Sequence, residues 1–167
     1  GALCMARRPD TLIMANEMAA QLPVLGESML PLSILGGEGS ARKNAASLRR
    51  SLEHLRGGGL LAVFPSGEVA NWKGTAVEES VWSPHITSLA VRCDAKVLLA
   101  RFFGSTPPWL HLAGGIHPLL RTALLPRVLL AMRGSTVRCR AEEADLDGGD
   151  AHEAARLLRK RVMEMEE

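Results

Sequence analysis

The stretch Leu60-Leu61-Ala62-Val63-Phe64-Pro65-Ser66-Gly67-Glu68 decides how this chain is read: an apolar run, a break at Pro-Ser-Gly, then a carboxylate. An uninterrupted apolar run of this length suits a strand buried on both faces, as in a parallel sheet. Just upstream, Ser40 to Arg56 places Ala45, Leu48, Leu52 and Leu55 at helical spacing, while Arg42, Lys43, Arg49, Arg50 and Arg56 fill other faces. Ser40 stands where an N-cap is needed, and Gly57-Gly58-Gly59 where a helix ends. The order helix, glycine turn, strand, polar turn is that of an α/β unit.

Outward from this unit the alternation continues. Strands are predicted at Thr11–Ala15, Leu30–Ile34, Leu60–Phe64, Val97–Phe103 and Thr136–Ala141, each short, mostly apolar and bounded by Gly, Pro or charge. A second helix is predicted after Trp82-Ser83-Pro84, with Ser83 as N-cap, Pro84 at the first helical position, and Ile86, Leu89 and Ala90 inward. Residues 106–133 read as broken helices with a strongly apolar surface. From Asp150 onward, Asp150 and Glu153 have capping-box spacing, and Ala151, Ala155, Leu158, Val162 and Met165 share one helical face. The expected fold is α/β, a mixed, largely parallel sheet flanked by helices. Residues 1–167 form a single domain closed by an acidic helix within 142–167, since neither an internal repeat nor a dividing linker is present.

Composition narrows the function. With 47% hydrophobic and 23% charged residues, the 167-residue chain is globular rather than disordered. Arg121, Arg127 and Arg133 interrupt its most apolar region, so that region does not make a spanning helix. The apolar run from Gly1 to Ala6 is too short for a signal peptide. Cys4, Cys93 and Cys139 form neither a disulfide framework nor a zinc pattern, which points to a reducing compartment and no metal. Residues 1–140 hold 16 basic and 9 acidic groups, a net +7, whereas 141–167 hold 4 and 9, a net −5. Sixteen of the 20 bases are Arg, suited to phosphate or carboxylate, although GC-rich genomes raise Arg content too. No nucleic-acid-binding motif is present, and the Trp residues do not interleave with a basic stripe.

Loops after strand ends are where α/β folds place their sites. That singles out Phe64, Pro65, Ser66, Gly67 and Glu68. Arg42 and Lys43, at the start of the basic helix and just after Gly36-Gly37-Glu38-Gly39, would favour a phosphate or carboxylate headgroup. The alternatives are a plain surface turn, an N-cap for Glu68 and a solvated helical face for the cations. Trp72, Trp82 and Trp109 could seat the protein at a lipid interface or pack in its core.

Phe64-Pro65-Ser66-Gly67-Glu68-Val69 resembles the third sequence block of the glycerophospholipid acyltransferase superfamily, in the branch of hemolysin-like and ornithine-lipid-synthesis lysophospholipid acyltransferases, where the block reads Phe-Pro-Ala-Gly-Glu-Val. The resemblance extends upstream through Ala15-Asn16-Glu17, Gly36-Gly37 and Ala41 to Ala46. Downstream it takes in Trp82-Ser83-Pro84-His85, Phe102, Gly104 and His117 to Arg127, in order over roughly residues 9–140. It implies a glycerol-phosphate-acyltransferase-like fold and acyl transfer from a thioester donor, acyl-CoA or acyl-carrier protein, to a lysolipid hydroxyl, without metal or bound cofactor. It also implies peripheral residence on the cytoplasmic side of a bacterial inner membrane. The residues it assigns to substrate binding are Arg42, Lys43 and Phe64 to Glu68.

The family's general base is a His with an Asp five positions on. Five positions beyond His54, His85, His111, His117 and His152 stand Gly59, Ala90, Ile116, Thr122 and Leu157. The catalytic block therefore lies before Gly1 or is lacking, and no catalytic residue is assigned here. If it is lacking, the chain is an inactive lipid-binding module. Leu99 replaces the Pro of the family's fourth block, and Ser33 an Asp frequent in the second. Ser66 replaces Ala, and as a nucleophile it lacks the Gly that a nucleophile elbow requires.

Overall fold

The computed structural model describes residues 2–16, 28–32, 40–67, 71–73, 76–78, 80–104, 124, 127–128, 130–131, 133–146 and 148–166. In chain order the elements are α1 (Ala2–Arg7), β1 (Leu12–Asn16), β2 (Met29–Leu32), α2 (Ser40–Arg56), β3 (Leu61–Val63), β4 (Asn71–Lys73), β5 (Ala76–Glu78), α3 (Pro84–Arg92), β6 (Val97–Phe103), β7 (Arg138–Ala144) and α4 (Ala151–Glu164). The architecture is α/β.

A three-stranded parallel sheet in the order β2-β1-β3 forms one half. Central β1 pairs on both sides, Ile13 standing opposite Met29 in β2 and Ala62 in β3. Ile13, Met14, Met29 and Leu30 are its buried core. Pro31, which cannot donate to a ladder, falls on edge strand β2, where a proline is tolerated. Helix α2 packs on β2 and β3. Its buried face is Ser47 and Ser51, with Leu48, Leu52 and Leu55 half-buried, while Ala45 is exposed, so the inward face is displaced from the one predicted. Small side chains let the helix approach closely. Burying their hydroxyls is tolerated because Ser47 donates to the Pro31 carbonyl (2.6 Å) and Ser51 to the Ser47 carbonyl (2.8 Å).

Glycine ends α2 as the sequence predicts. The Gly58 N–H reaches the Leu55 carbonyl, the Gly59 N–H reaches that of His54, and Gly58 has φ +81, together a Schellman cap. The same bond pattern closes α3: Asp94 N–H to Val91, Ala95 N–H to Ala90, but here the left-handed residue is Asp94 with φ 49. Beside the Gly58 cap, Arg8 makes a two-pronged contact with Asp10 (2.8 and 2.7 Å) and donates to the Gly58 carbonyl (2.8 Å), joining the start of β1 to the end of α2. These bonds and the neighbouring positive charge hold the Asp10 carboxyl down to about 2.

In the other half, β6 and β7 pair antiparallel with each other, in full register from Val97–Ala144 to Phe103–Arg138. Among the described residues this pair is a small antiparallel sheet of its own beside the parallel one, so the mixture of strand directions that was expected is distributed over separate sheets. β7 begins two residues later and runs three residues further than predicted, so Glu142 and Glu143 are strand, and the acidic helix spans only Ala151–Glu164. Trp82, Leu99, Ala144, Ala155, Leu158, Val162 and Met165 form the core between α4, the strands and the start of α3. Trp82 is thus a core residue. Asp150 caps α4, its carboxylate accepting from the His152 N–H (3.1 Å). Buried Thr87 joins the two helices, its hydroxyl 2.8 Å from the carbonyls of both Pro84 and Ala151.

Arg101 and Arg140 stand directly opposite each other, a repulsive pairing. Both are directed to the C-terminal end of α4, where free carbonyls carry partial negative charge. Arg101 donates to Val162, Met163 and Met165, and Arg140 to Glu166. A short hairpin, β4–β5, was not foreseen. The predicted helices of 106–133 fall largely outside the described residues, of which Leu124, Arg127, Val128, Leu130 and Ala131 are helical.

Two measurements check these cap and edge assignments. In urea unfolding, Gly58→Ala should cost about 1 kcal/mol, whereas Asp94→Gly should leave stability equal or raise it by up to about 1 kcal/mol, because only glycine is unstrained at positive φ. For Asp10, the folded-state value lies below the ordinary 3.8, so its contribution is complete above that pH and disappears as pH falls toward 2. Asp10→Asn should therefore be less stable than wild type at pH 7, and the difference should shrink as pH falls through about 2.

Candidate functional site

Parallel pairing puts the C-terminal ends of β1, β2 and β3, at Asn16, Leu32 and Val63, on one edge of the sheet. α2 runs back from that edge, because its Ser47 sits on Pro31 of β2 while its C-terminal cap meets Arg8 at the opposite edge. Arg42 precedes Ser47 by five residues, about 7.5 Å of helix further toward the C-terminal edge. Arg42 is exposed there. Lys43 belongs to α2, but its side chain is outside the described residues.

The turn after β3 opens on the same edge. Phe64, Pro65, Ser66 and Gly67 form a β-turn closed by the Gly67 N–H on the Phe64 carbonyl (2.9 Å), with Pro65 at the position its fixed φ favours. Gly67 has φ +66, so glycine is required where the chain leaves the turn. Phe64 is 61% exposed, although a strand end within a core would bury it. Pro65 and Ser66 are half-buried. Glu68 lies outside the described residues, and with it the predicted proximity of Glu68 to Arg42.

A residue that sequence reasoning assigned only to helix capping holds this turn. Ser83 makes no side-chain cap to α3; instead its backbone N–H donates to the Pro65 carbonyl (2.9 Å). Its neighbour Trp82 is buried in the second core, so the turn is tied to a fixed point in the other half of the molecule. The Trp82-Ser83-Pro84 block was visible in the sequence; a bond between two backbones 18 positions apart leaves no sequence signal.

The remaining candidates separate from this edge. Arg49 is paired with Glu53 (3.0 Å), and Arg50 and Arg56 are exposed. His54 is half-buried, its Nε2 3.2 Å from the Leu60 carbonyl, at the far edge. An open depression of about 460 Å³ at that far edge includes Asp10, Arg50, Glu53 and His54 in its lining, but most of these groups are already engaged, Asp10 by Arg8 and Glu53 by Arg49. His85 is exposed on the first turn of α3, beside the Ser83 tie; His111 and His117 are outside the described residues. Among the described residues no cluster of His, Cys, Asp and Glu could hold a metal ion. Compared with family models, curated proteins and solved structures, the chain has no significant match.

Ser83 has φ −71, a value proline adopts, so Ser83→Pro deletes the N–H donor without forcing the backbone at that residue. The Pro65 carbonyl would lose its partner. Stability should fall by about 1–3 kcal/mol, and the Gly67 amide should exchange with solvent at least tenfold faster. An unchanged Gly67 exchange rate would mean that the turn holds without the tie.

Proposed function

We propose that this chain carries the acceptor-binding part of an acyltransferase-type domain of bacterial phospholipid or aminolipid synthesis. A fatty acyl group would pass from acyl-CoA or acyl-carrier protein to a lysolipid hydroxyl at the cytoplasmic face of the inner membrane. The observation that supports this most is the convergence, on one edge of a parallel sheet, of the exposed cation Arg42 with the Phe64–Gly67 turn. Both belong to sequence blocks that resemble that superfamily. Arg42 suits the phosphate or carboxylate of a headgroup, and exposed Phe64 offers apolar surface beside it.

In the reaction the acceptor oxygen loses its proton to a general base and attacks the thioester carbonyl carbon; the C–S bond breaks and the thiol leaves with a proton. None of the five His residues here has an Asp five positions on, so the His/Asp pair is not within these 167 residues. That same fact favours the second reading, an inactive lipid-binding module of the same fold. The coding sequence upstream of Gly1 distinguishes the two.

The test uses the purified chain with acyl-CoA and lysophosphatidic acid, following thiol release and lysolipid binding separately. No turnover above background is expected, since loss of a general base commonly removes about 10² to 10⁴ in rate. Saturable binding is expected, weakened about tenfold or more in Arg42→Ala. Robust turnover would place a base within the chain, His85 first; absence of saturable binding would contradict the acceptor site.

A further inference from the structure

Helix α3 begins without a side-chain cap. Ser83 occupies its N-cap position but makes no capping bond, and Pro84 at the first helical position has no N–H to offer. An uncapped first turn frays unless another contact holds it. Thr87 supplies that contact: it is only 4% exposed, and its hydroxyl lies 2.8 Å from the carbonyl of Pro84 in the same turn and 2.8 Å from that of Ala151, the first residue of α4. A hydroxyl has one proton, so the two carbonyls share it, and the first turn of α3 is joined to the start of α4. α4 is itself fixed at both ends, by the Asp150 carboxylate on the His152 N–H and by Arg101 on the carbonyls of Val162 and Met165.

The same turn of α3 reaches the candidate site. Ser83, one residue before Pro84, donates its N–H to the Pro65 carbonyl (2.9 Å) and accepts the Ile86 N–H on its own carbonyl (3.2 Å). The donor that holds the Phe64–Gly67 turn therefore belongs to a helix start that is seated on α4. We infer that Thr87 is a positioning residue for that turn: its hydroxyl orients the first turn of α3, and with it the Ser83 N–H that fixes Pro65. Burial of Trp82 anchors the neighbouring chain, but burial is non-directional, whereas the Thr87 bonds specify an orientation. The inference rests on the acceptor-site reading for its effect on ligand binding alone; the positioning itself is read from amide exchange.

The reporter is the Gly67 amide, which closes the turn on the Phe64 carbonyl. Thr87→Val keeps the side-chain shape and removes the donor; Thr87→Ser keeps the donor. In the 167-residue chain without denaturant, Thr87→Val should speed Gly67 exchange about fivefold or more and weaken binding of lysophosphatidic acid about threefold or more, while Thr87→Ser stays within about twofold of wild type. In the Ser83→Pro background, where the tie is absent, Thr87→Val should change Gly67 exchange by less than about twofold. Asp150→Ala, at an exposed cap, loosens Ala151 from the α4 side and should speed Gly67 about twofold or more, again only while the Ser83 donor is present. Three results overturn the assignment: Gly67 exchange indifferent to both Thr87→Val and Asp150→Ala; equal acceleration with and without the Ser83 donor, which would make Thr87 a residue of global stability only; or Thr87→Ser behaving as Thr87→Val. A wild-type chain that binds no lysophosphatidic acid, or whose binding ignores a loosened turn, contradicts the acceptor site instead, and the exchange results still decide the role of Thr87.

Discussion

Everything at the candidate site depends on β1 being hydrogen-bonded on both sides to parallel neighbours. Parallel strands cannot be joined by tight turns, so the chain must leave β2 at one edge and return to begin β3 at the other. α2 makes that return beside the sheet. Its start and the turn after β3 are consequently brought to one edge although some twenty residues of sequence separate them. Ser47 and Ser51 permit this arrangement, because bulkier side chains on the inward face would hold α2 away from the sheet.

The second half of the molecule is built on a different constraint. β6 and β7 are antiparallel, and their inner face is covered by α4 and Trp82. Arg101 and Arg140, repulsive as a strand pair, become a clamp on the end of α4. Its connection to the parallel sheet includes one backbone hydrogen bond, Ser83 to Pro65, and that bond falls on the candidate site. Packing in one half therefore positions a turn in the other.

The legible parts of the sequence were those where local chemistry and burial agree. α2 ends at Arg56 as its glycines indicate, although it begins at Ser40 itself rather than after it, and β6 spans Val97–Phe103, an apolar run with clear borders. α4 buries Ala155, Leu158 and Val162, as its periodicity requires. Where tertiary contacts override local pattern, the reading failed. The inward serines of α2 were invisible to an apolar periodicity, and Glu142 and Glu143 concealed the end of β7 because that strand is largely exposed. β4–β5 has only three residues per strand, too few for any period to register. Of the candidate site, residue types and the turn were legible; the tie from Ser83 was not, and Glu68 and the Lys43 side chain lie outside the described residues.

The most direct measurement of the central claim is a titration of the ¹⁵N-labelled chain with glycerol 3-phosphate, the soluble headgroup of a lysolipid acceptor, followed by amide chemical shifts. The account predicts saturable shifts at Arg42–Asn44 and at Ser66 and Gly67 together, with one apparent affinity. Shifts confined to the far edge, around Asp10 and His54, or saturation of the two groups at different concentrations, would contradict a single headgroup site at the C-terminal edge of the sheet.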